Sequence, residues 1–294
     1  MIRRFLITVL ILLCYSYLSA QEVYYYGVNS RPVDSEQEAE FFKTLHSKSE
    51  KKFIVNSQLK TNNGWRNVQR QKIRINRDGV LKLVTKEDKL FSKVFFREIN
   101  SVKPGLYSFE ERSKRGKKIR TGTSSTFLPI HLEGEITEFH PNGRVKSISN
   151  FKNNQLVSNR NWLPDGSKYI DSVFYSTDKK PVFMPGAANF NNSILKYMAD
   201  SKINLDEYDD DVVIGWVVME TGVIDGVIAL QGRSEELNQL LSDAIAQVPG
   251  EWQPAILNGE PVRYFMTIPL TITHNDTKFQ DLEYKWGYLH YNQY

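Results

Sequence analysis

A 23-residue spacing recurs three times in the middle of this chain, from Phe139 to Trp162, from Gly143 to Gly166 and from Phe151 to Phe174. Each copy sets an aromatic residue, a turn dipeptide and a second aromatic residue in the same order, the mark of a short β-repeat. The dipeptides are Asn142-Gly143 and Asp165-Gly166, and Asp78-Gly79 stands in a similar setting between residues 72–76 and 80–84. Such pairs favour two-residue hairpin turns with positive φ at both central positions. A chain punctuated in this way builds antiparallel sheet from successive hairpins.

The units Glu138-Phe139-His140-Pro141-Asn142-Gly143 and Asn161-Trp162-Leu163-Pro164-Asp165-Gly166 resemble MORN-variant repeats of the YwqK antitoxin-like type. That resemblance implies stacked hairpins in an elongated sheet acting as a scaffold or spacer, with Asn154 and Asn159 where the repeats usually carry a glycine. Ahead of the repeats, Ser35 and Glu38 have the spacing of a capping box, and Phe41, Phe42 and Leu45 give an apolar side, so a short helix is expected there. Residues 112–120 carry six basic side chains around Gly116 and read as a charged hairpin tip.

Arg3 and Arg4 precede an apolar stretch at residues 5–18, and Leu18-Ser19-Ala20 ends on a small residue, the pattern of a secretory signal peptide. Fourteen apolar-rich residues span only ~21 Å as a helix, short of a ~30 Å hydrocarbon core. Cleavage after Ala20 is therefore expected, with an uncleaved anchor as the competing reading. The single cysteine, Cys14, follows Leu13 rather than a small residue, which argues against lipidation, and the mature chain would carry no thiol. Formal net charge is +4, and about +2 without Arg3 and Arg4, a balance that on its own argues for no nucleic-acid or membrane partner. No stretch after the signal approaches the ~20 apolar residues of a membrane helix.

The C-terminal third changes period. Residues 190–198 and 237–248 carry apolar residues at helical spacing, the second with Ser234 as cap and Pro249-Gly250 as stop. Residues 212–219 and 223–230 alternate around Glu220-Thr221-Gly222 as a hairpin, and residues 262–272 supply a last strand. Met184-Pro185-Gly186, this hairpin, the second helix, Trp252-Gln253-Pro254-Ala255, Asn258-Gly259-Glu260-Pro261-Val262 and Pro269-Leu270-Thr271-Ile272 follow one another as in the C-terminal domain of TonB-family proteins, which residues 184–272 resemble. The fold expected is α+β: an N-terminal hairpin-repeat sheet followed by a small two-helix, three-stranded TonB-like domain. The corresponding organisation is a signal peptide at 1–20, a hairpin region at 21–180, the TonB-like domain at 181–274 and an aromatic tail at 275–294.

In that family the last strand pairs with a short N-terminal segment of an outer-membrane receptor by strand addition. The resemblance thus implies Arg263, Tyr264, Phe265, Met266 and Thr267 as the partner-binding residues, and an outer-membrane receptor or other extended peptide segment as the partner. Residues 5–18 hold no histidine, no proline-rich run follows, and Asn204-Leu205-Asp206 replaces the usual Tyr-Pro, so the expected protein is a periplasmic binding module without its own link to the energising motor. Tyr284, Trp286 and Tyr288 alternate and suggest a further strand that competes for the same edge. The alternative function is an envelope scaffold whose hairpins, basic tip and aromatic tail contact peptidoglycan or another glycan. Trp216 and Trp252 read as core rather than as a ligand platform.

The five histidines lack metal-ligand spacing, and residues 206–211 lack the Gly and Glu of a calcium loop. Thr123-Ser124-Ser125-Thr126 has no nucleophile-elbow or phosphate-loop surroundings. The chain reads as a non-enzyme with no cofactor, metal or catalytic residue. N-terminal mass analysis of the protein recovered from the cell envelope is expected to find a chain that starts at Gln21; retention of Met1 to Ser19 overturns the cleaved-signal reading.

Overall fold

The computed structural model describes residues 21–87, 90–273 and 276–279, so the signal-like segment and the aromatic residues Tyr284, Trp286 and Tyr288 lie outside the described residues. The chain divides into two compact units between Ser167 and Lys168.

The first unit is a single antiparallel meander. Its strands are β1 (Gln21–Tyr26), β2 (Pro32–Val33), β3 (Phe41–Ser49), β4 (Lys52–Thr61), β5 (Gly64–Ile75) and β6 (Leu81–Glu87), followed by β7 (Leu90–Lys103), β8 (Leu106–Ser113), β9 (Lys118–Ser124), β10 (Leu132–Phe139), β11 (Val145–Lys152) and β12 (Gln155–Asn161). They form a 12-stranded sheet in the order β12 to β3, then β1 and β2. Cross-strand register places one set of side chains on a common face: Tyr26 opposite Phe41, Leu45 opposite Val55, Ile73 opposite Leu83, and Leu81 opposite Arg97. These residues are buried, although the described residues of this unit include no α-helix or second sheet to cover them. The face is buried because the sheet curls upon itself.

Side chains fasten the two ends of the curl. Between β1 and β2, Asn29 and Ser30 take positive φ and turn inward, and Asn29 Nδ2 donates to Leu156 O at 2.9 Å. Asn154 Nδ2 donates to Ser30 O at 3.0 Å, while its Oδ1 accepts from Leu132 N–H at 2.8 Å. Leu45, Val55, Ile73, Leu81, Leu83 and Phe95 form the apolar core of the unit. Each such side chain contributes about 1.5–3 kcal/mol when removed from water.

The hairpins form where the turn dipeptides stand, but by another turn geometry. His140 N–H donates to Arg144 O and Gly143 N–H to His140 O, both at 2.8 Å, and Leu163, Ser167 and Gly166 repeat the pattern at 2.9 Å. Positive φ falls on Gly79, Gly143 and Gly166, whereas Asp78, Asn142 and Asp165 lack it. These are three-residue turns closed by a left-handed glycine, not two-residue turns with both centres left-handed. The Asx side chains serve differently: Asn142 Oδ1 accepts from Arg144 N–H at 3.0 Å and Asp165 Oδ1 from Ser167 N–H at 2.8 Å. The doubly left-handed pair occurs at Asn153-Asn154, with φ of 49° and 64°, and joins β11 to β12.

Three further expectations fail. Ser35 donates to Glu38 at 2.8 Å, but only a single turn forms there, and Phe41–Ser49 is strand rather than helix. Phe41 and Leu45 lie on the inner face with Lys43 between them, so a charged residue at an inward position hid the alternation. The 23-residue equivalence also stops after Gly166, because Phe151 belongs to β11 whereas Phe174 lies in the second unit. The α+β class itself is overturned: strand makes up 56% and helix 12%, and a large antiparallel sheet dominates.

In the second unit, β13 (Val173–Phe174), β14 (Val182–Phe183), α1 (Ala187–Ala199), β15 (Asp210–Val218) and β16 (Ile224–Gln231) precede α2 (Glu235–Ala246). Then come β17 (Trp252–Gln253), β18 (Ala255–Leu257), β19 (Glu260–Thr273) and β20 (Asp276–Phe279). Its main sheet has six strands, not the three expected, in the order β13-β19-β15-β16 with β18 and β20 also on β19. Ser234 caps α2 by accepting from Leu237 N–H at 3.2 Å, and Leu237, Leu240, Leu241, Ala244 and Ile245 pack their stripe on Val212, Ile214, Trp216 and Val218 of β15. Phe183, Phe190, Trp216 and Trp252 form a ring cluster with centroids 5.2–6.1 Å apart, which places both tryptophans in the core. Among the described residues no helix is long and apolar enough to cross a membrane.

Asn154 gives a direct test of the fastening. Asn154→Gly keeps the turn accessible but leaves Leu132 N–H and Ser30 C=O without this partner, and urea unfolding is expected to show a loss of about 1–3 kcal/mol. Asn153→Gly, at the exposed neighbour, is expected to stay within ~0.5 kcal/mol of the parent.

Candidate binding edge

β19 places the five residues implicated by sequence on one strand, but it gives them different tasks. Along its inner side β15 pairs with it from Val218 opposite Tyr264 to Asp210 opposite Ile272. On the outer side β13 runs parallel to it only at Arg263 and Tyr264, and β20 runs antiparallel to it only at residues 270–273. Met266, Thr267 and Ile268 lie between these two short partners, and no named strand pairs with them on that side among the described residues.

Arg263 is committed to the fold. Its Nε and Nη2 donate to the two Glu220 carboxylate oxygens at 2.8 and 3.0 Å, and Nη1 donates to Asp171 O at 3.0 Å. The hydrogen bonds from Arg263 hold the Glu220 carboxyl below its ordinary range. Tyr264 is buried between β13 and β15. Phe265 stacks edge-on with Tyr175 at 5.9 Å and fills the space above Gly215, where an added Cβ would lie 2.5 Å from its ring. Met266 turns to the helix-covered core. Only Thr267 and the main chain of 266–268 are placed to meet a partner. The short strand β13 gave no periodic signal of its own, so its parallel pairing could not be read from the sequence.

The opposite edge, β16, is poorly suited to a partner. Its register with β15 shifts twice, between Val213/Ile214 and between Gly215/Val217, and Tyr169 Oη donates to Gly226 O at 2.5 Å. Bulges and a covering side chain are the usual means by which an edge strand is kept from pairing.

Several of the other sequence candidates are engaged within their own unit. The basic hairpin tip forms around Gly116, with Arg112 bonded to Glu110 and to Gly116 O, Lys118 3.1 Å from Glu110, and Lys117 Nζ donating to Pro141 O at 2.7 Å. In the acidic run at 206–211, Asp210 is not a solvated turn residue. It is buried and accepts from Arg233 N–H at 2.6 Å and Arg233 Nε at 3.1 Å, which anchors the approach to α2. No group of metal-ligating side chains converges among the described residues. No protein-family model matches the chain, and no curated protein matches it.

The Arg263–Glu220 pair is partly exposed, so a double-mutant cycle with Arg263→Met and Glu220→Gln is expected to give a coupling of no more than about 1 kcal/mol. Because the folded carboxyl titrates lower than the unfolded one, that coupling is present near neutral pH and is lost as pH falls through the folded value. A coupling that persists in strong acid overturns this assignment.

Proposed function

We propose that the chain is a periplasmic binding protein whose second unit takes up an extended segment of another protein by strand addition along β19. The observation that supports this most is the stretch at 266–268, which β15 pairs on one side and which lies between the ends of β13 and β20 on the other. An extended segment entering there gains main-chain hydrogen bonds with little demand on side-chain identity. The N-terminal segment of an outer-membrane receptor, the partner implied by the sequence resemblance, has the required extended form. β20 holds β19 over only four register pairs, so an incoming strand longer than the open stretch extends by displacing it. The binding determinant is then the backbone of 266–268, while Arg263, Tyr264 and Phe265 hold the strand in place.

Receptor N-terminal peptides titrated against the full chain and against a chain ending at residue 275 test this reading. The shortened chain is expected to bind more tightly, because β20 no longer competes. Thr267→Pro, which removes a main-chain donor, is expected to weaken binding far more than Thr267→Ala. Equal binding by all forms, or none by any, overturns it.

A further inference from the structure

Among the described residues, the inner face of the first unit gathers three cations, Lys43, Arg97 and Arg120, near the Glu111 carboxylate. Arg97, Glu111 and Arg120 stand side by side on β7, β8 and β9, with exposures of 4%, 0% and 5%. Arg97 Nε donates to Glu111 Oε1 at 2.8 Å and Arg120 Nε to Glu111 Oε2 at 3.2 Å, so two guanidinium groups share one carboxylate. A third cation, Lys43, faces the same interior from β3. It repels both guanidiniums, and its Nζ lies over the Tyr26 ring, 5.4 Å from the centroid. Directly across the ladder from Lys43 stands Ser57, 1% exposed, whose Oγ has no hydrogen-bond partner.

Two further carboxylates stand near these cations. Glu138, the register partner of Arg120, lies 4.0 Å from Lys146 and accepts from Ser147 Oγ at 3.4 Å, and Glu22 accepts from the Tyr24 hydroxyl. His131 adds no compensation: burial, then Lys43, pushes its pKa down to about 4, so it is neutral at pH 7. Burial, then Arg120 and Arg97, pushes Lys43 down to about 8, which still leaves it protonated at neutral pH. A buried hydroxyl without a hydrogen-bond partner is unfavourable, and so is a cation crowded by two others. Lys43, Tyr24 and His131 are each only partly buried, which leaves this region a route to solvent.

We propose that the curled sheet of the first unit binds a small oxyanion, a phosphate or carboxylate group, held by Lys43 and Ser57. The Ser57 hydroxyl supplies the neutral donor and Lys43 the charge-assisted one, the combination that oxyanions take up best. The group could come from free inorganic phosphate or from the acidic end of an organic ligand, and the two share this chemistry.

Thermal unfolding of the full mature chain in a low-anion buffer tests the site, with inorganic phosphate, acetate and chloride compared at matched ionic strength. Phosphate or acetate is expected to raise the melting temperature by several degrees at concentrations about a hundredfold above Kd, and chloride is not. A response to phosphate alone assigns the free ion, and a response to acetate as well assigns a carboxylate-bearing ligand. Lys43→Met is expected to melt higher than the parent without anion and to lose the response, Ser57→Ala to weaken it, and Lys114→Met, at the exposed hairpin tip, to keep it. Should Lys43→Met fail to fold, the lysine resonances of the dimethylated parent decide instead: the titration of Lys43 near pH 8 is expected to move upward with phosphate. A parent that responds no more to phosphate or acetate than to chloride, a response retained in Lys43→Met, or a Lys43 titration unmoved by phosphate overturns the proposal.

Discussion

The first unit depends on one constraint: a long antiparallel meander must bury one face of itself without help from another layer. An open sheet of this length leaves that face wet and both edges unpaired, and neither is tolerated in a stable protein. Curling covers the face, and side-chain bonds at the two ends take up part of the unpaired edge. The side chains that complete the curl are amides, Asn29 and Asn154, each of which reaches a main-chain group that no strand pairs.

The two units reach stability differently. In the second unit the helices α1 and α2 cover one face of the sheet, and the Phe183, Phe190, Trp216 and Trp252 cluster ties the start of α1 to it. The result is a conventional apolar core between helices and sheet. The first unit mixes an apolar layer around Leu81 and Leu83 with a polar layer around Glu111. A fold that needed only stability would fill that polar layer with hydrocarbon, since buried ion pairs seldom exceed well-packed apolar residues in stability. Its retention of Lys43, Arg97 and Arg120 is what makes the interior a candidate for binding.

The parts legible in sequence are those where one signal dominates. The stripe of α2 with its Ser234 cap and the β15–β16 hairpin around Gly222 form as the residue pattern predicts, and the β5–β6 hairpin forms at Gly79, though by a three-residue turn. Illegible parts have competing signals. β3 looked helical because Lys43 interrupts its inward row, and the doubly left-handed turn escaped notice because it carries Asn153-Asn154 instead of a glycine. The extent of the sheet was missed for a related reason, since polar inward residues on β7 to β9 give strands without apolar alternation. On β19 the strand was readable, but the partners that decide which residues stay open were not. Those partners are two residues of β13, some ninety positions earlier, and four of β20, and neither is long enough to show a period.

The fastening at Asn29 also fixes an order of events. Its hydrogen bond to Leu156 spans 127 positions, whereas every pairing from β3 to β12 joins immediate neighbours in the chain. Local hairpins close quickly, and contacts this distant in sequence carry the largest loop-closure entropy and form late. A chain delivered from its N-terminus therefore assembles its meander strand by strand as an open, edge-exposed sheet. The interior becomes dry only when the last hairpin arrives, so the interval before residue 156 emerges is when this protein is most exposed to aggregation and to proteases.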